Sequence, residues 1–219
     1  MENRDVVSEL LSPPRAVGAE VSGTSDADLM ARVADGDNGA FDVLLVRHRR
    51  WVVNLAWQYA GDAAEAEDLA QEAFVRVYRA RRKYPPTAEF TAYLRRVAVN
   101  LCLNEARRRR RHPTDSWSGQ DDPETAADLP DVLLARAELT QRVRTAVKQL
   151  PDSQRMAVTL RRYEDLSHQE IARAMGCSVS AVESLLHRAT QNLRKALGDY
   201  VQNSWAGRRF AAQTVSTTM

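Results

Sequence analysis

From Phe41 the apolar positions Phe41, Leu44, Leu45, Val52, Leu55, Ala56 and Tyr59 recur three or four residues apart until Gly61. This is the period of a one-faced helix, ended by a residue that tolerates left-handed backbone. Ala66, Leu69, Ala70, Ala73, Phe74, Val77 and Tyr78 form a second stripe that stops before Pro85 and Pro86. Phe90, Leu94, Val97, Ala98 and Leu101 form a third, with Thr87 as a plausible cap. The spacing predicts three amphipathic helices with short connections, packed as one bundle. Upstream, Ser25 followed by Asp26 and Asp28 offers a helix N-cap with acids in its first turn. Folded structure is expected to begin there, because residues 1–24 hold Pro13, Pro14, Gly18 and Gly23 and show no period; they read as a flexible leader.

Residues 112–130 combine three prolines, a glycine and several acids without helical period, and read as a linker. Leu133 to Leu150 is helical again, and Pro151 suits the first turn of a helix running to about Tyr163. Ser167 and Glu170 are spaced as a capping box for a short helix, Ile171 to Met175, closed by Gly176. Ser178 can cap the next helix, whose apolar stripe is Val182, Leu185, Leu186, Ala189 and Leu193. Short helix, glycine turn and longer helix make a helix-turn-helix. Nothing reads as a strand or a repeat. The expectation is an all-α chain of two small helical domains, 25–111 and 133–198, joined by an acidic linker at 112–132. The 199–219 tail, with Trp205, Arg208, Arg209 and Phe210, reads more as a frayed end than as an added regulatory helix.

A helix-turn-helix lays its second helix in the DNA major groove, first residues toward the bases. The outward positions here are Val179, Ser180, Glu183, Ser184, His187 and Arg188. Arg188 can donate twice to a guanine edge, and Ser184 and His187 offer shorter contacts. The competing reading is a solvated face of an ordinary bundle. The run Arg107 to Arg111 would suit a solvated helix end, but it extends a helix already carrying Arg95, Arg96, Asn100 and Asn104. That combination favours nucleic acid, since asparagines can hydrogen-bond base edges. The second helix shows Asp68, Gln71, Glu72 and Val75 on one face, a polar strip with one apolar contact that suits either a partner helix or solvent.

Charge sharpens this picture. The 219 residues carry a formal net charge of only +2, which argues against a uniformly cationic nucleic-acid coat. By segment, the net runs −3 over 1–61, −5 over 62–75, +10 over 76–112, −6 over 113–140 and +6 over 141–219. Two basic blocks flank an acidic one, as if a polyanion were gripped at two places. No phosphate loop, nucleophile elbow or zinc-protease motif is present, and the four histidines are scattered, so neither an enzyme nor a cofactor is expected. His48 points inward at a core edge. Cys102 and Cys177 lack metal or disulfide spacing and are expected to pack as small apolar groups in a reduced, cytoplasmic protein. No signal peptide or membrane span is read in the chain.

Two segments carry a family resemblance. GDAAEAEDLAQEAFVRVYRARRKYPPTAEFTAYLRRVAVNLCLNEARRRRR resembles the second region of bacterial sigma factors of the extracytoplasmic-function type, and LPDSQRMAVTLRRYEDLSHQEIARAMGCSVSAVESLLHRATQNLRKAL resembles their fourth. The resemblance implies a promoter-specificity subunit of RNA polymerase that opens DNA without chemistry of its own. It implies that Asp68, Gln71, Glu72 and Val75 meet the coiled coil of the polymerase's largest subunit. Asn100 and Asn104 would read the −10 element, the loop Lys83–Glu89 would hold a flipped base, and Arg95, Arg96 and Arg107 to Arg109 would meet phosphates. Ser178, Ser180, Glu183, Ser184, His187 and Arg188 would face the −35 element, with the polymerase flap against the same domain. An anti-sigma partner is implied by the family, and with it retention at the membrane; no small-molecule substrate is. Three positions depart from the family. Glu183 stands where many members have Lys or Arg, Leu185 replaces another common Arg, and Tyr93 replaces the usual Trp. A carboxylate near phosphate repels, so Glu183 is expected to cost backbone contacts or shift the helix. The alternative is a regulator that binds duplex DNA through its helix-turn-helix without joining a polymerase.

Overall fold

The computed structural model describes residues 23–84, 89–111 and 131–214. Residues 1–22 of the leader, Thr87 and the linker at 112–130 lie outside these. Helix α1 (Asp26–Ala34) starts where Ser25 Oγ accepts from Asp28 N at 3.2 Å and buries Leu29, Met30 and Val33. It adds a fourth member to the expected three-helix bundle. Asp37 caps α2 (Asn38–Ala60), which stops at Gly61 in the left-handed region, φ 72°. Asp62 caps α3 (Ala63–Arg79) by accepting from Glu65 N at 2.8 Å. A single 3-10 turn, Arg81–Lys83, leads toward α4 (Phe90–Arg111).

The apolar stripes meet as their periods require. Leu44, Val52 and Leu55 of α2, Ala66, Ala73 and Val77 of α3, and Leu94 and Val99 of α4 are almost fully buried. Phe41 packs edge-on against Phe74 and Tyr78, with ring centroids 6.4 and 5.1 Å away. His48 takes the expected core-edge place, its Nε2 2.7 Å from Asp26 Oδ2 and its ring beside Phe90.

The second unit begins with α5 (Asp131–Lys148), which ends two residues before the expected Leu150. Pro151 is the reason, since it pushes the residue before it toward extended backbone. Pro151 itself sits at the N-cap, with ψ 142°, rather than in the first turn of α6 (Asp152–Tyr163). Helices α7 (His168–Met175) and α8 (Val179–Thr214) complete it. The tail differs from expectation: α8 continues helical to Thr214. No proline follows Pro151, and Gly198 and Gly207 inside a helix each cost only about 1 kcal/mol relative to Ala.

The described residues contain no strand. The two units pack on each other, α4 against α7 and α2 against α6. One buried apolar cluster runs through both, joining Leu94 and Val52 to Met156, Leu160 and Ile171. At this seam the Gly61 backbone comes so close to Lys148 that a Cβ there would lie 2.5 Å from Lys148 Cε.

Candidate nucleic-acid interface

The helix-turn-helix is built by local chemistry at each end of α7. Ser167 Oγ accepts from Glu170 N at 3.3 Å while Glu170 Oε2 accepts from Ser167 N at 2.8 Å, the complete capping box. Hydrogen bonds from Ser167 hold the Glu170 carboxyl below its ordinary range. Gly176, φ 66°, makes the turn, and Ser178 Oγ accepts from Ala181 N at 3.2 Å to start α8. Val182 and Ala189 are fully buried, which fixes the roll of the helix. Asn192 Nδ2 donates to Gln154 Oε1 at 2.8 Å, tying α8 to α6. Ser178, Val179, Ser180, Glu183, Ser184, His187 and Arg188 are consequently all exposed on one side. Glu183 Oε1 lies 3.7 Å from His168 Nδ1 of α7.

On α4, Arg96, Asn100, Asn104 and Arg107 to Arg111 are exposed. The basic run is knitted into the protein. Arg107 Nη1 donates to Asn104 Oδ1 at 2.9 Å, Arg108 pairs with Glu105 at 2.8 Å, and Arg109 pairs with Glu65 at 2.7 Å. Arg108 holds the Glu105 carboxyl below its usual range, whereas burial pushes Glu65 up despite Arg109. Arg95 behaves differently from its neighbours: it is half-buried, its guanidinium carbon 5.4 Å from the centre of the Trp51 ring. Lys83 is exposed, residues 85–88 of its loop lie outside the described residues, and Tyr84 and Tyr93 lean together with centroids 5.2 Å apart.

On α3, Asp68 and Gln71 are exposed and Glu72 and Val75 half-buried, opposite the buried Leu69, Ala70, Ala73 and Phe74. Glu72 accepts from Arg76 Nε at 2.7 Å.

The cysteines divide. Cys102 is buried, as expected, and burial pushes its thiol up to about 12. Cys177 is exposed, against expectation, because it follows Gly176 in the turn, outside either helix's apolar stripe. Among the described residues no group of His, Cys, Asp and Glu could hold a metal ion, and no helix is long and apolar enough to cross a membrane. Periodicity gave no sign of two contacts at the seam: Trp51 Nε1 donates to Glu164 Oε2 at 2.6 Å, and Arg110 Nη2 lies 2.6 Å from Asp152 Oδ2.

Comparison with known proteins accounts for both units. Residues 44–112 match the family description Sigma-70 region 2, and residues 140–193 match Sigma-70, region 4. The chain is 36% identical over 180 residues to the RNA polymerase sigma-H factor of Pseudomonas aeruginosa, covering 78% of this chain and 93% of that protein. It is 34% identical over 186 residues to the ECF RNA polymerase sigma-E factor of Escherichia coli strain K12, covering 81% of this chain and 95% of that protein. Among solved structures, CnrH in complex with the cytosolic domain of CnrY aligns with TM-score 0.58 and 27% identity over 80% of this chain and 99% of that one. With a region 2 bundle, a region 4 helix-turn-helix and relatives matched over nearly their whole length, the chain belongs to the sigma-70 family as a sigma factor of the ECF type.

Proposed function

We propose that this sigma factor divides its work among the three faces described above. The chain is a promoter-specificity subunit of RNA polymerase. In our reading the α3 strip of Asp68, Gln71, Glu72 and Val75 docks on the coiled coil of the polymerase's largest subunit. Asn100 and Asn104 of α4 contact bases of the −10 element, and Lys83, Arg95, Arg96 and Arg107 to Arg109 neutralise its phosphates. The first turns of α8 enter the major groove of the −35 element, with Arg188, Ser184 and His187 toward the bases.

The observation that carries this reading is that the three sets of residues are presented on three different helices, most of them exposed. The acidic strip lies on α3, the basic row on α4 and the recognition residues at the start of α8, so different elements of one chain are available to a protein and to two stretches of DNA. Strand opening follows from binding energy, since a base captured outside the stack offsets the cost of unpairing. The chain supplies no covalent chemistry, works in the cytoplasm and is held in check by an anti-sigma protein; the similar CnrH is solved in complex with the cytosolic domain of CnrY.

Run-off transcription with core polymerase tests the assignment. Asp68→Ala with Gln71→Ala should weaken core binding at least about tenfold, the loss of two interface contacts, without changing region 4 binding to an isolated −35 duplex. A regulator independent of polymerase would bind its duplex alone and ignore those substitutions.

A further inference from the structure

We propose that the cavity between the end of α2 and helices α5 and α6 is a binding site for a small amphipathic carboxylic acid. The DNA and polymerase readings use none of the residues that line it.

The cavity has a volume of about 440 Å³, within the range that holds small organic ligands. Its apolar wall is Trp57 and Tyr59 of α2, Leu139, Val143 and Val147 of α5, and Tyr163 of α6. The three α5 residues are spaced four apart and so share one face of that helix. Of the six large apolar or aromatic side chains that stand in solvent among the described residues, Trp57, Leu139, Val143 and Tyr163 line this one cavity. Singly exposed apolar residues are ordinary, but a cluster gathered round a concavity marks a place where an apolar body is held.

Charge selects the head group. Arg144, Lys148 and Arg155 line the cavity and no acidic side chain does. Arg155 is already committed: Nη1 donates to Lys148 O at 3.1 Å, Nη2 donates to Asp152 Oδ1 at 3.0 Å, and its guanidinium carbon lies 4.4 Å from the centre of the Tyr59 ring. The Lys148 stem passes over Gly61, where a Cβ would lie 2.9 Å from Nζ, and this holds the ammonium beside the C-terminal end of α2. Tyr59 is 3% exposed, and its hydroxyl has no hydrogen-bond partner among the described residues. Burial pushes the phenol up to about 12, so at neutral pH it keeps its proton and stays a donor. A buried donor without an acceptor is costly, and a carboxylate oxygen supplies the acceptor while Arg144 and Lys148 supply the counter-charge. An amine would meet three cations, and inorganic phosphate would leave the aromatic wall unfilled. Because α2 belongs to region 2 and α5 and α6 to region 4, the site exists only while the two units are packed, and an occupant stabilises the chain by mass action.

Isothermal titration calorimetry on the full chain tests the site with two acids of shared chemistry and different source. Decanoate offers an alkyl body and indoleacetate an aromatic one, each used below the concentration at which it aggregates. At least one should bind saturably at submillimolar concentration and raise the midpoint of thermal unfolding, and the tighter of the two identifies the source. Decylammonium and inorganic phosphate should not bind. Arg144→Glu with Lys148→Glu, both on the exposed side of α5, should weaken binding at least about tenfold. Tyr59→Phe, which loses only the hydroxyl, should weaken it roughly tenfold, the worth of one hydrogen bond to a charged group. Circular dichroism verifies that each variant is folded. No saturable binding of either acid, decylammonium bound as tightly as the acids, or a double Glu variant that binds as tightly as wild type overturns the proposal.

Discussion

Arg109 reaches back across the bundle to Glu65, Nη2 to Oε1 at 2.7 Å, fastening the end of α4 to the first turn of α3. An arginine that reads in sequence as one of five equivalent cations thus has a structural post. Before it can hold a phosphate it must leave a carboxylate that is itself only 14% exposed.

Two substitutions separate these roles. Arg109→Ala should lower stability by about 1 kcal/mol, a modest figure because the arginine is half in solvent. It should also push the Glu65 carboxyl still higher, since burial already raises it and Arg109 is what opposes that rise. Glu65→Gln should leave Arg109 paired with Glu105 alone, 3.3 Å away, and strengthen DNA binding. Urea unfolding, an NMR titration of Glu65 and anisotropy check the three outcomes.

The capping box gives a second expectation. Ser167→Ala removes the acceptor for Glu170 N and should cost about 1 kcal/mol, read in thermal unfolding. It should also weaken −35 binding, because α7 supports the recognition helix. Glu170 has a folded value below its ordinary one. Its contribution is therefore present above the unfolded value and lost as pH falls through the folded one. The Ser167→Ala chain should show less of that acid-side loss than wild type.

On the alkaline side the signs reverse. Burial raises Cys102 from 9.0 to about 12 and Tyr59 from 10.0 to about 12. Raised folded values mean stability that is complete below pH 9.0 and lost between there and about 12, as the unfolded chain ionises first. Cys177, exposed, should react with a thiol reagent at pH 8 in seconds to minutes, whereas Cys102 should react only as fast as the protein opens. Two equal phases would contradict the burial difference.

Glu183 should act as a brake on −35 affinity. It stands exposed in the second turn of α8, with His168 Nδ1 3.7 Å from its carboxylate. Glu183→Lys should raise affinity for a −35 duplex severalfold and steepen the plot of log K against log salt by about 0.9, one added phosphate contact. Unchanged affinity together with an unchanged slope would mean that this carboxylate never nears the DNA backbone.

Much of the architecture was legible because its signals are local. Hydrophobic period located α2, α3, α4 and α8; Ser25, Gly61, the Ser167 and Glu170 pair, and Gly176 marked where helices begin and end. The exposed row from Ser178 to Arg188 also follows from period once Val182 and Ala189 point inward. What stayed hidden depends on residues far apart in the chain. Trp51 and Glu164 are 113 positions apart, and neither Arg95's inward turn nor Arg110's partner can be read from α4 alone. The exposure of Cys177 was missed for a simpler reason: a small apolar residue beside a turn glycine resembles a core residue in composition.

The helix that begins at the DNA-reading turn does not stop where its domain does. From Val179 to Thr214 it is a single rod of 36 residues, about 54 Å at 1.5 Å per residue. Reading end and far end are one lever. A protein, surface or modification that grips the far end can tilt the first turn of the rod without touching the promoter, so region 4 carries a handle as well as a recognition surface.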